Sequence, residues 1–423
     1  MSNTLKSPKE ELKKTRSLTV LKFGGTSVKN IARIQHVADI IKARLKSGPL
    51  VVVVSAMGDT TDYLVKLAHQ CTETPDKREL DLLLSTGEQI SIALLAIVLR
   101  SMGVAAKSFT GYQVGIFTEN VFSKARIVDL KTDSLENALE KNQVVVIAGF
   151  QGITPDGDVT TLGRGGSDTT AVALAAAVQA DVCDIYTDVD GVFTADPNSI
   201  PSAKLLSSIR YEEVLEMARL GAQVIHPRAV ELARQYGVKL RVRNTFKPEH
   251  EGTLIHGGDD VEIYRTVSGV AVDKDTVRVS IMDVPDVPGI AGKIMRALAD
   301  RNIVIDMIMQ AVHPSIGLNN VTFTVNDSEL EETLRVVESL KSKLKTGEVL
   351  YDKDIAKVSL IGASMVGQPG IAATLFESLG AANINIKMIA TSEMKLTCVV
   401  SRDDAQRAAQ IIHDAFELNK VTA

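Results

Sequence analysis

The stretch PGIAGKIMRALADRNIVIDMI at residues 288–308 returns as PGIAATLFESLGAANINIKMI at residues 369–389, at a constant offset of 81 and with 10 of 21 positions identical. Unrelated segments of that length share about one or two residues, so the chain carries an internal duplication. Each copy follows a strand-like run, TVRVSIM or AKVSLIG, and then gives a Pro-Gly turn, an amphipathic helix and a strand led by asparagine. That order predicts two small βαββαβ modules, at 263–350 and 351–423. A pseudo-symmetric pair of this kind places ligand sites at the seam between its halves.

The preceding 17–262 reads differently. Short β-branched or apolar runs (SLTVLKF, PLVVVVSAM, VVVIAGFQG, DVCDIYTDVDG) alternate with helical patterns (IARIQHVADIIKARLKSG, ISIALLAIVLRSMG, DTTAVALAAAVQA, VLEMARLGAQV, RAVELARQYG). Strands alternating with helices predict one α/β domain with a parallel sheet covered on both faces. Residues 1–16 are polar, charged and expected to form a flexible tail.

Charge narrows the function classes. With 47 Lys and Arg against 52 Asp and Glu, the net charge of −5 offers no basic surplus for nucleic acid. The three cysteines, Cys71, Cys183 and Cys398, are far apart and fit no zinc spacing, so buried thiols in a reducing compartment are expected. No apolar run reaches the ~18 residues of a membrane span, and a cytoplasmic chain is the expectation.

Two glycine-rich stretches carry the chemistry. In VLKFGGTSVKN, Gly24 and Gly25 follow a strand ending near Phe23, and Lys22 adds a cation at its C-terminal end. Bare backbone amides and a helix start capped by Thr26 or Ser27 would cradle a phosphate; an ordinary strand–turn–helix corner has the same look. Neither GxxxxGK[ST] nor GxGxxG is present, which counts against a Walker loop and a dinucleotide site. In TTLGRGGSDTTAVALAAA, Gly163, Gly165 and Gly166 surround Arg164, whose fork suits a carboxylate. Asp168 opens the following helix, as an N-cap or as a site residue. Two such turns at strand ends of one parallel sheet face a common crevice.

KFGGTSV, VVVVSAMGDTTD, TGEQIS, TLGRGGSDTTA, YTDVDGVFTADP and GAQVIHPRAVE together resemble the aspartate kinases, of the amino-acid-kinase fold, and the tandem module resembles their paired ACT domains. The resemblance implies transfer of the γ-phosphoryl of MgATP to the side-chain carboxylate of L-aspartate, at the head of lysine, threonine and methionine synthesis. It implies catalytic roles for Lys22, Glu88 and Asp168. ATP would be held by Lys22, Phe23, Gly24, Gly25, Ser55, Thr187, Asp188 and the loop Phe193, Thr194, Ala195, Asp196, Pro197 and Asn198. Thr61, Glu88, Arg164, Gly165, Gly166 and Ser167 would bind aspartate: Glu88 its ammonium, Arg164 its α-carboxylate, Thr61 its side-chain carboxylate. Asp168 would also fix Lys22. No protein site for a metal is implied; magnesium would ride on phosphate oxygens and water. The DVDG fragment is no EF-hand, because Phe193 and Ser199 stand where that loop needs glycine and glutamate. His226 is expected to be a packed helix-start residue.

The resemblance also implies effector binding by Asp286, Gly289, Ile290, Ala291, Val304, Ile305, Asp306 and Gln310 in the first module, and by Asn385, Ile386, Thr391 and Ser392 in the second. Lysine, with or without threonine, is the expected inhibitor, and a homodimer or larger assembly through the modules is expected. The sequence departs from the family at Asn198 and Gln223, near the expected phosphates, and at His313 and Asn319-Asn320, near the effector. A kinase for another carboxylate, such as glutamate or acetylglutamate, and a non-catalytic amino-acid sensor are the alternatives. Paired Arg164 and Glu88 favour a free amino acid.

Overall fold

The computed structural model describes residues 17–220, 224–258, 266–313, 317–363, 365 and 368–420. Gln223 and residues 1–16 lie outside them, as do the side chains of Val312 and His313. The chain forms two compact units, one of residues 17–192, 205–215 and 224–258, the other of 193–204, 216–220 and 266 onward.

The first unit is built on an eight-stranded sheet. Its order is Ser208–Arg210, Thr253–His256, Leu240–Asn244, Val182–Thr187, Thr19–Phe23, Leu50–Val54, Val144–Ala148 and Ala106–Phe109. Only the Leu240–Asn244/Thr253–His256 pair is antiparallel. The central strands are buried at every position, as continuous runs of Val and Ile require when both faces are covered. One face packs on helices Ile31–Arg44 and Lys77–Ser101 through Ile34, Ile41, Leu95 and Leu99. On the polar side of the packing, Asp184 is fully buried, with Arg44 at 2.8 Å and Arg243 at 3.9 Å. A smaller sheet orders Ile127–Leu130, Ile116–Thr118, Gln151–Ile153 and Val159–Thr161.

The helix Lys77–Ser101 corrects the sequence reading twice. It begins well before ISIALLAIVLRSMG, capped by Asp76, whose carboxylate accepts from the Arg78 and Glu79 amides. It is also long and apolar enough to cross a membrane, but it buries Asp81, Ser85 and Glu88 inward with its leucines, as a core helix does.

In the second unit the first module runs as expected: Thr276–Pro285, Ile290–Ala299, Ile308–His313, Leu318–Asn326, Leu330–Leu344 and Val349–Asp352. The second, Ala356–Ile361, Ile371–Ala381, Met388–Thr391, Lys395–Val400 and Ala405–Ala415, is one strand short among the described residues. Its edge is filled by Gly269–Asp273, which pairs antiparallel with Ala356–Ile361. A strand that the sequence puts in the first module thus completes the sheet of the second. Ala195 and Ile200 join that module's core beside Val270, Leu360 and Ile412, which draws residues 193–204 away from the 17–262 grouping.

Candidate active site

Parallel register brings four strand ends to one level. Phe23 lies beside Val54 and Tyr186, and Val54 beside Ala148. The chain leaves these strands through Gly24, Ser55, Gly149 and Thr187, and the crevice beyond such ends is where parallel sheets bind ligands.

Lys22, next to last in the central strand, is largely buried, and its Nζ stands 2.6 Å from Asp168. A Cβ on Gly24 would come within 3.4 Å of that Nζ, and one on Gly25 would press to 3.1 Å from the Ala56 carbonyl. At Gly24 that is an ordinary contact, whereas at Gly25 the Ala56 backbone would have to give by a few tenths of an ångström. The Gly24 amide is already spent on the Tyr186 carbonyl at 3.3 Å, while the Gly25 amide makes no hydrogen bond among the described residues. The helix after this turn starts only at Ile31, capped by Asn30 Oδ1 at 3.0 Å from the Arg33 amide. Thr26 and Ser27 are therefore not its caps, and this helix does not start at Gly24–Gly25; the residues between strand and helix form a turn closed by the Ser27 and Val28 amides.

The second glycine stretch does open directly on a helix. Gly166–Ala177 follows Gly165, whose φ of 71° lies in the left-handed region. A side chain on Gly165 would collide with the His226 ring at 2.1 Å, so glycine is required twice over. Asp168 sits in the first turn of this helix, but the N-cap is Gly165 and no side chain caps it. Its carboxylate belongs to Lys22. Ser167 is buried against Gly149, and Arg164 is exposed. His226 caps the helix Pro227–Tyr236, accepting from the Arg228 amide at 3.3 Å, and burial holds its ring below the ordinary histidine range. That agrees with a packing role.

Glu88 stands in the middle of Lys77–Ser101, not at a helix start. Only 2% exposed, its Oε1 accepts the Ala56 amide at 3.0 Å and its Oε2 has no partner among the described residues. Burial pushes the carboxyl up to about 7. A buried, half-satisfied carboxyl is costly unless something donates to it. Thr61 lies in the first turn of Thr60–Cys71, just after the Ser55 loop.

Thr245 was not legible from the sequence. Fully buried, its Oγ1 is 2.7 Å from Ser27 Oγ and its amide donates to the Thr187 carbonyl at 2.8 Å. Its own carbonyl contacts His36 Nε2 at 2.8 Å. It ties the glycine turn to the strand end at Thr187, and only the parallel pairing of Asn244 with Thr187 puts it there. Thr187 Oγ1 donates to exposed Asp188 at 3.2 Å.

The loop Phe193–Asn198 belongs to the second unit. Thr194 bonds His413 and the Lys204 amide, both at 2.9 Å, and Ala195 is in the core, so these two side chains face away from solvent. Asp196, Pro197 and Asn198 are exposed, and Asn198 is tied to Asp196 by its amides at 3.0 and 3.1 Å.

In the first module Gly289 caps Ile290–Ala299, which carries Ala291 in its first turn, with φ at 91° for the glycine. Asp286 accepts from Asn319 Nδ2 at 3.0 Å, and Asn320 Oδ1 accepts from the Asp283 amide at 3.2 Å. Val304 is exposed, Ile305 packs at the module core, and Gln310 lies on Ile308–His313 opposite Val321. Asp306 is engaged by Lys357. Asn385, Thr391 and Ser392 are exposed and Ile386 is half-buried against the second core. No group of three or more His, Cys, Asp or Glu side chains among the described residues is arranged to hold a metal.

Comparison with known proteins identifies the family. Residues 17–244 match the amino acid kinase family, and residues 277–342 and 358–416 each match an ACT domain. The chain is 47% identical to an aspartokinase of Bacillus sp. (strain MGA3), over 95% of this chain and 98% of that one. It is 46% identical to an aspartokinase of Thermus thermophilus, over 96% of this chain and all of the relative. The crystal structure of E. coli aspartokinase III in complex with aspartate and ADP superposes with a TM-score of 0.76 at 26% identity, covering 94% of this chain and 99% of that one. By family match, near-complete coverage and fold, the chain belongs to the amino acid kinase family and, within it, to the aspartokinases.

Proposed function

We propose that the first unit transfers the γ-phosphoryl of ATP to the side-chain carboxylate of L-aspartate, giving 4-phospho-L-aspartate and ADP. The observation that carries this reading is the grouping of the Lys22–Asp168 pair, the glycine turn and buried Glu88 at neighbouring strand ends. The E. coli relative binds aspartate and ADP. The acceptor carboxylate is ionised at neutral pH, so no general base is needed. One of its oxygens bonds to the γ-phosphorus as the bond to the β–γ bridging oxygen breaks, and ADP takes the electron pair. Catalysis then consists of holding two anions in line and offsetting charge on the phosphoryl oxygens. Lys22 and the Gly25 amide serve the phosphates; Asp168 aims Lys22. Glu88 Oε2 takes the substrate ammonium, and Arg164 its α-carboxylate. Thr61, Ser167 and the glycines Gly165 and Gly166 shape the acid's pocket. Ser55, Thr187 and Asp188 serve the nucleotide. Magnesium arrives with ATP, held by phosphate oxygens and water.

The modules serve feedback control by an end-product amino acid, lysine or threonine, in a cytoplasmic homodimer or larger assembly; another E. coli structure of the family holds lysine with aspartate. An ADP-release assay with aspartate, glutamate and acetylglutamate, each with and without lysine and threonine, tests both parts. Turnover confined to aspartate is the expected result. Preference for either other acid refutes the substrate assignment, and indifference to both effectors refutes the regulatory one.

A further inference from the structure

The two modules meet along an interrupted two-stranded ribbon, whose two ladders belong to different sheets. The ladder of Gly269–Asp273 with Ala356–Ile361 and that of Thr276–Pro285 with Val349–Asp352 keep one register: from Asp273–Lys357 to Arg278–Asp352 each strand advances five residues. A pseudo-twofold axis therefore runs through the ribbon, relating residues by the repeat offset of 81. Met307 and Met388 are such a pair, and they pack together with Ile355 and Val399 at the seam.

Asp306 and Lys387 are the next such pair. Their backbones are placed alike: the Asp306 amide donates to the Thr324 carbonyl at 3.3 Å, and the Lys387 amide to the Val399 carbonyl at 2.7 Å. Their charges are opposite. Asp306 of the first module contacts Lys357 of the second at 2.6 Å, and Lys357, only 5% exposed, also meets Asp273 at 3.4 Å. Lys387 of the second module contacts Asp352 at 3.1 Å and Asp354 at 3.5 Å, beside the first sheet. The position related to Lys357 by the offset is Thr276, uncharged and buried, so no second lysine faces Lys387.

We propose that these charge-inverted contacts make the seam of the first module a surface for one partner, the second module of the same chain, and against a second copy of itself. In a like-with-like pairing Asp306 would face Asp352 and Asp354, and Lys387 would face Lys357. Opposite charges select the partner and like charges exclude the wrong one. The duplicated modules have thereby diverged from a self-complementary pair into an obligate unlike pair.

The test is a charge-reversal cycle on the full chain: Asp306→Lys, Lys357→Glu and the two together, followed by thermal unfolding and light-scattering mass across a concentration series. Each single reversal is expected to lower the unfolding midpoint by about 5 °C. Asp306→Lys is also expected to add a concentration-dependent heavier species, because the reversed charge then suits the Asp352/Asp354 face of another copy. The double variant is expected to regain at least half of the lost midpoint and the native mass. Losses that simply add, or masses identical in all variants, overturn the proposal. Should either reversal fail to fold, Asp306→Asn and Lys357→Met form the same cycle: losses that fail to add support the pairing and additive losses overturn it.

Discussion

Glu88→Gln isolates one buried charge. The carboxyl titrates near 4.5 in an unfolded chain and at about 7 in the fold, because burial disfavours its ionised form. Between those values the folded state holds the extra proton, so stability falls as pH rises through the window and levels off above it. At ~1.4 kcal/mol for each tenfold difference in proton affinity, the ionised side chain costs the fold about 3 kcal/mol at pH 8. Glutamine has the same shape, carries no charge and keeps an acceptor for the Ala56 amide, now 3.0 Å from Glu88 Oε1. The variant should therefore unfold later than the native chain at pH 8, by about 5–10 °C, and at the same temperature below about pH 4.5. Saturating aspartate should flatten the native pH dependence, since an ammonium on Oε2 favours the ionised form, yet leave the variant unmoved. Scanning calorimetry between about pH 4.5 and 8.5, with and without aspartate, reads all three effects. An equal or lower midpoint for the variant at pH 8 would refute the assignment of Glu88 as a buried, strained acid. A native response to aspartate in the variant would refute its contact with the substrate.

Lys22→Ala should lower kcat by about a hundredfold or more and also lower stability by leaving Asp168 unpaired; near-native turnover in the ADP-release assay would remove Lys22 from the phosphate site. Arg164→Ala should raise the aspartate KM by about 10–100-fold and leave the ATP KM alone, and steady-state kinetics with each substrate varied would expose the opposite pattern. Gly165→Ala forces a left-handed backbone and a collision with His226, so it should cost at least about 1–2 kcal/mol in denaturant unfolding; a neutral result would mean that the turn relaxes freely.

Local chemistry was sufficient to read much of this protein. Continuous Val and Ile runs identify strands buried on both faces, the glycine pairs mark close backbone approach, and the repeat at 288–308 and 369–389 reveals two related modules. The ion pair of Lys22 with Asp168 was likewise anticipated from motif likeness and is met at 2.6 Å. Helix starts were less legible: Asn30, not Thr26 or Ser27, caps the first helix, because nothing local distinguishes one polar turn residue from another.

What the order of residues alone determined is the set of elements and the residue types offered to a phosphate and an amino acid. Tertiary structure decided which of them meet. Parallel register carried Thr245 to Ser27 across 218 residues of sequence, and helix packing brought a mid-helix Glu88 to the amide of Ala56. Antiparallel pairing gave Gly269–Asp273 to the second module, and a hydrogen bond to His413 and apolar packing drew Thr194 and Ala195 into its core. The physical reason is that propensity and spacing act within a few residues, whereas sheet edges and buried polar groups are satisfied by whichever partner the whole fold brings within reach.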